Sequence, residues 1–205
     1  MVHMRNGGRR RISDVKVGDS VLAVDERGQL RFSQVIMQLS AEPEFITEFQ
    51  VIRTKTGCNL TMTSSHLIYK ADSKIASSQP LFAMNIRKGD FVFVFHEKLG
   101  MIKDEVVSND IETQKGIHTP VTAHGNIIVD DILASCYSGL ENHSLLHLMF
   151  APLRWFNDAK TALSSIKRIG QVESSEHEQD DKGLHWYSEA LLAFGNILAP
   201  EKLLF

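Results

Sequence analysis

The sequence predicts an all-β protein followed by a helical C-terminal region. Three observations carry that prediction. Up to about residue 140 the chain breaks into runs rich in Val, Ile, Phe and Thr, each roughly 4 to 8 residues long and bounded by turn signals. One strand-turn-strand unit occurs twice in that stretch. Beyond it the apolar spacing changes from the period of a strand to that of a helix.

The first run, S-V-L-A-V, passes through D-E-R-G-Q into L-R-F-S-Q-V-I-M, a hairpin that turns near Gly28. A second hairpin takes I-T-E-F-Q-V-I-R-T through K-T-G-C into N-L-T-M-T. A third takes F-V-F-V-F-H through E-K-L-G into M-I-K-D-E-V-V. The duplication is the segment Asp14 to Val24, D-V-K-V-G-D-S-V-L-A-V, which returns as N-I-R-K-G-D-F-V-F-V-F, Asn85 to Phe95. Gly18 and Asp19 fall on Gly89 and Asp90, a pair that suits a tight turn with Gly at positive φ and Asp bonding the backbone. Two similar β-halves packed face to face would each bury the other's apolar side.

After this β-region, Leu145, Leu146, Leu148, Met149 and Leu153 are spaced for one helix face, which Trp155, Phe156, Ala159, Leu163 and Ile166 continue past a kink at Pro152. Residues 171–183 hold five acids against one lysine and no aromatic residue, the composition of a disordered linker. An amphipathic helix carrying Trp186, Leu191, Leu192, Phe194 and Leu198 is expected beyond it. Its apolar face has two readings, packing on the β-body or contact with a lipid or membrane.

Bulk properties narrow the function. With 43% hydrophobic and 23% charged residues among 205, the chain has material for a sizeable core plus an appendage. A net charge of -3 gives no positive field for nucleic acid. The one dense basic cluster, Arg9 to Arg11, reads as a solvated turn and strand end. No apolar run approaches the roughly 20 residues of a membrane span, and the first residues carry no secretory h-region. Two cysteines are too few for a four-cysteine zinc site or a disulfide scaffold, and no metal or cofactor is expected.

The chemistry-bearing motif is T-S-S-H, Thr63 to His66, where a strand pattern reaches a turn and resumes. A histidine there can give a proton to a leaving nitrogen, with the threonine hydroxyl polarising the same peptide group. Such a pair requires a nucleophile. Cys58, in the hairpin turn T-G-C-N, reads as a packing thiol. Cys136, at the close of D-D-I-L-A-S-C-Y-S, is either a small buried hydrophobe or a thiol lining a site between the two halves.

Taken together, V-G-D-S-V-L-A-V, T-M-T-S-S-H-L, L-F-A-M-N-I-R-K-G-D, P-V-T-A-H-G-N-I-I-V-D-D-I-L-A-S-C-Y, H-S-L-L-H-L-M-F-A-P-L-R and G-L-H-W-Y-S-E-A-L resemble the autoprocessing C-terminal part of hedgehog proteins. The resemblance covers nearly the whole chain. It implies a Hint (hedgehog/intein) fold over residues 1–142 and a helical sterol-recognition region over 143–205, where Trp186, Tyr187, Leu191, Leu192 and Phe194 are the candidate sterol contacts.

In that family an opening cysteine attacks the preceding glycine carbonyl to form a thioester, and cholesterol, a co-substrate, displaces the thiol. The N-terminal signalling domain, the partner in cis, thereby leaves with a sterol ester. By motif match Thr63 and His66 take the family's T-x-x-H roles, and Cys136 matches its second cysteine. The resemblance also implies a secretory-pathway or extracellular setting and developmental cell-cell signalling.

Two departures stand out. The chain begins after the position of the attacking cysteine, so as written it is expected to be inert in cis: the nucleophile lies upstream of Met1, where a Gly-Cys-Phe would mark a truncation, or does not exist. Ser40 stands where the family has the aspartate that activates the sterol hydroxyl, and Glu42 is the nearest carboxylate able to take that part. An inert scaffold that binds partners or sterol, and self-cleavage by hydrolysis without sterol, are the alternatives.

Overall fold

The computed structural model describes residues 1–138 apart from residue 73. The predicted helices, the acidic linker and the candidate sterol contacts lie outside the described residues.

Within them the all-β prediction holds. A short β1 (Val2–His3) and β2 (Arg9–Arg10) form a hairpin, and β3 (Ser20–Val24) turns at Gly28, φ +78°, into β4 (Leu30–Thr54). Then come β5 (Asn59–Thr63), β6 (His66–Tyr69), β7 (Pro80–Phe82), β8 (Phe91–His96), β9 (Gly100–Thr122), β10 (Asn126–Val129) and β11 (Ile132–Ser138). Every strand pairing is antiparallel. The basic cluster near the start is held in ion pairs: Arg9 binds Asp131, and Arg10 reaches Asp19 at 2.6 Å.

The hairpin prediction needs one correction. The second arm of the first hairpin and the first arm of the second are a single strand, β4, and the third hairpin's outer arm runs on as β9. These two long strands pair with each other from Val35↔Thr122 to Thr54↔Val106. The A-E-P-E-F stretch, Ala41 to Phe45, reads as a break because it is exposed and holds Pro43, yet register shifts on both sides of it absorb the bend without ending the strand. The two halves are therefore joined through shared strands as well as through packing.

The duplication is visible bond by bond. In the first half, Gly18 N–H donates to Val35 O at 2.8 Å and Val35 N–H donates to Asp19 O at 2.8 Å. In the second, Gly89 N–H donates to Val106 O at 2.9 Å and Val106 N–H to Asp90 O at 2.8 Å. Asp19 Oδ2 accepts Lys16 N–H at 2.8 Å just as Asp90 Oδ2 accepts Arg87 N–H at 2.8 Å. Gly18 and Gly89 sit at φ +94° and +90°, which only glycine adopts without strain. The Gly-Asp pairs are scaffold, clamping each half's turn to its own long strand. Strands of both halves then meet in one apolar cluster of Leu22, Val24, Tyr69, Ala71, Phe93, Ile128 and Leu133.

Candidate functional site

The T-S-S-H motif forms a corner. β5 pairs only with β4 among the described strands, whereas β6 pairs with β7 and β11, so Ser64 and Ser65 carry the chain from one sheet into another. Leu60 and Met62 are buried, which turns Asn59, Thr61 and Thr63 to the opposite face of β5. Thr63 is half-buried, and its hydroxyl has no hydrogen-bond partner among the described residues.

Two contacts hold the corner. Gln50, 6% exposed on β4, donates its amide Nε2–H to Ser64 Oγ at 3.1 Å. Met84 N–H, in a 3-10 turn, donates to Ser64 O at 3.2 Å.

His66 is fixed from the far half of the molecule. Its Nε2 lies 3.0 Å from Ser135 O on β11. A carbonyl only accepts, so Nε2 carries the proton and the neutral ring presents Nδ1 as a basic lone pair. Burial pushes the imidazole below its ordinary value of 6.5, and the Ser135 carbonyl opposes that shift less strongly. The ring is thus neutral at neutral pH, of defined tautomer, and able to accept a proton at Nδ1. A register shift in the β6–β11 pairing, between Ala134 and Ser138, accompanies this contact.

Cys136 directly follows that carbonyl in sequence. It is 1% exposed, and its N–H donates to Gly125 O at 3.0 Å. Thr122 Oγ1 already donates to Asn126 O at 2.7 Å, so its 3.7 Å contact with Cys136 Sγ takes the thiol as donor. Burial pushes the thiol up to about 11. This describes a protonated thiol beside the histidine's anchor.

Cys58 departs from its reading as a packing thiol. It is half-exposed in the β4–β5 turn, 3.8 Å from Thr56 Oγ1, because a turn residue has no second layer to pack against. Half-buried Ser40 and exposed Glu42 lie in the middle of β4, with Ser40 Oγ donating to Glu42 Oε1 at 3.1 Å. Among the described residues no cluster of His, Cys, Asp and Glu side chains is arranged to hold a metal ion, and no helix is long and apolar enough to cross a membrane.

Three residues of the site escape sequence reasoning. The Ser135 carbonyl is a backbone group, and Ser64 lies inside the motif with no distinguishing pattern. Gln50 leaves a trace as the lone polar residue in F-Q-V-I, although nothing local names its partner.

The chain and its fold have relatives among known proteins. Residues 1–200 match the family described as the Hint module, and the chain belongs to that family. Solved inteins share the fold: a DnaB intein from Synechocystis sp. PCC 6803 superposes with a TM-score of 0.56 at 14% identity, covering 65% of this chain and 92% of that one. The gp41-1 intein gives 0.51 at 15% identity over 65% of this chain and 91% of its own.

Sequence relatives narrow the family to its hedgehog type. The Tiggy-winkle hedgehog protein of Danio rerio is 40% identical over 96% of this chain and 47% of its own length. The Sonic hedgehog protein of Danio rerio is 33% identical over 100% and 49%, and the hedgehog protein of Drosophila virilis 28% over 97% and 42%. This is a hedgehog-type Hint region that spans about half the length of the relatives it matches.

Proposed function

We propose that this chain is the self-processing part of a hedgehog-type precursor, which cleaves the peptide bond ahead of itself by an N-to-S acyl shift and passes the acyl group to cholesterol. The observation that carries the reading is His66, a half-buried neutral imidazole whose Nε2–H is committed to Ser135 O and whose Nδ1 is left basic. The junction cysteine, supplied by the precursor, attacks the preceding glycine carbonyl: a C–S bond forms and the C–N bond breaks. His66 Nδ1 takes the thiol proton and returns it to the leaving nitrogen, while the Thr63 hydroxyl bonds the scissile peptide.

In the second step the sterol hydroxyl attacks the thioester, a C–O bond replaces C–S, and the thiol is regenerated. The carboxylate of Glu42, already accepting from Ser40, is the base this chain offers for that hydroxyl. The substrate in cis is the precursor's N-terminal signalling domain, the setting is the secretory pathway, and the role is developmental cell-cell signalling. Cys136 serves as a protonated neighbour of the site, and the segment from Trp186 to Phe194 contacts sterol or membrane.

The test joins a reporter ending in Gly to a Cys and the corresponding leader of the Tiggy-winkle relative, placed ahead of residue 1. Dithiothreitol and cholesterol are then added separately. Both are expected to release the reporter, and His66→Ala is expected to slow the thiol-driven release by about 10²–10⁴-fold. An intact wild-type fusion under dithiothreitol would refute the acyl shift. Release by the thiol but not by cholesterol would refute sterol transfer and leave hydrolysis.

A further inference from the structure

We infer that Asn59 is a site of N-linked glycosylation. Asn59-Leu60-Thr61 is an Asn-x-Thr acceptor whose middle residue is not proline. The structure supplies what the motif alone lacks. Asn59 is the first residue of β5, directly after the tight turn closed by Thr54 N–H to Cys58 O at 3.0 Å. Its side chain is exposed and has no hydrogen-bond partner among the described residues. Leu60 is 2% exposed on the opposite face, so Asn59 and Thr61 project together away from the core.

The glycan also has room. Asn59 and Thr63 are at opposite ends of β5, about 13 Å apart at ~3.3 Å per residue, so a sugar on Asn59 leaves the T-x-x-H corner clear. It would stand beside the edge of β5 that has no strand partner among the described residues. Unpaired strand edges invite association, and a bulky polar group there opposes it.

The reaction is a glycosyl transfer from a lipid-pyrophosphate oligosaccharide. Asn59 Nδ2 bonds to C1 of the first sugar, the C1–O bond to pyrophosphate breaks, and the amide proton is lost with the lipid pyrophosphate product. This inference rests on the proposed passage through the secretory pathway, where such donors reside.

The experiment expresses the 205-residue chain behind a secretion signal in insect or mammalian cells and treats the product with peptide-N-glycosidase. The expected result is a mobility shift together with conversion of Asn59 to Asp in its peptide. Asn59→Gln and Thr61→Ala should each remove one glycan step, and Thr61→Ser should retain it. Asn142→Gln isolates the second acceptor motif, Asn142-His143-Ser144, which lies outside the described residues. An unmodified Asn59 peptide in the secreted chain overturns the site. A glycan present only with the added signal, and absent from the natural precursor, upholds the site and overturns the compartment.

Discussion

Replacing Gln50 with leucine tests whether the T-x-x-H corner is positioned from β4. Leucine keeps the bulk of a side chain that is 6% exposed and removes the donor that reaches Ser64 Oγ at 3.1 Å. A neutral hydrogen bond of this kind contributes about 1 kcal/mol net. The half-buried Ser64 hydroxyl can turn to water once its donor is gone, so the loss stays near that figure and below the ~3 kcal/mol of a stranded buried group.

If that bond holds the corner during the acyl shift, 1 kcal/mol corresponds to a rate about 5-fold lower. The assay is single-turnover release by dithiothreitol from the restored fusion, with urea unfolding run in parallel. Gln50→Leu and Ser64→Ala should each slow release about 5-fold, and the double variant should be no slower than either. That pattern is a coupling of about 1 kcal/mol. Additive losses in the double variant would show that the two side chains act independently, and the positioning argument would fall.

Further measurements probe the scaffold and the titrating groups. Asn126 Oδ1 accepts Val24 N–H at 2.8 Å and its Nδ2 donates to Val24 O at 2.8 Å, so Asn126→Ala strands two groups of a residue 2% exposed and should cost about 3 kcal/mol in urea unfolding; a loss under about 1 kcal/mol refutes that role. With its thiol pushed up to about 11, Cys136 is thiolate to an extent on the order of 10⁻⁴ at neutral pH. Iodoacetamide should therefore label Cys58 in the folded protein and Cys136 only after unfolding, as peptide mass spectrometry would read, and early labelling of Cys136 contradicts its burial.

His66 resists protonation in the folded state, whereas the unfolded chain takes the proton near 6.5. Its contribution is therefore neutral above 6.5 and turns destabilising as pH falls through 6.5 toward the depressed folded value. The urea midpoint should drop between about pH 7.5 and about pH 5, and less so in His66→Gln; equal drops in both proteins would assign the effect to other groups.

What the sequence discloses of this fold follows from where each feature's partner lies. The Gly-Asp clamps are legible because Gly18, Asp19 and their second copies bond within a local turn whose chemistry is written in adjacent residues. Thr63 and His66 are legible as a motif for the same reason. The continuity of β4 is not, because Ala41 to Phe45 is exposed and interrupted by Pro43, and what keeps it a strand is β9, far along the chain. Alternation fails around Gln50 as well: Phe49, Gln50, Val51 and Ile52 are all buried, since β4 is covered on both faces there, so the polar residue that bonds Ser64 reads as an intruder in a core run.

The duplication itself explains why the contacts that position the motif escape a local reading. Each half repeats the same clamp, and a symmetric pair of halves would offer two equivalent corners. Only one corner carries T-S-S-H, and its histidine takes its tautomer from Ser135 O on β11, contributed by the second half. The corner's other fixed points, Gln50 on β4 and Met84 in the turn before β8, come from different stretches again. The scaffold follows the repeat, while the placement of the T-S-S-H corner depends on contacts that break it. A histidine held by a carbonyl across the interface is poised only when both halves are folded and interlocked through β4 and β9, which couples the proton-accepting geometry of His66 to completion of the whole β-body.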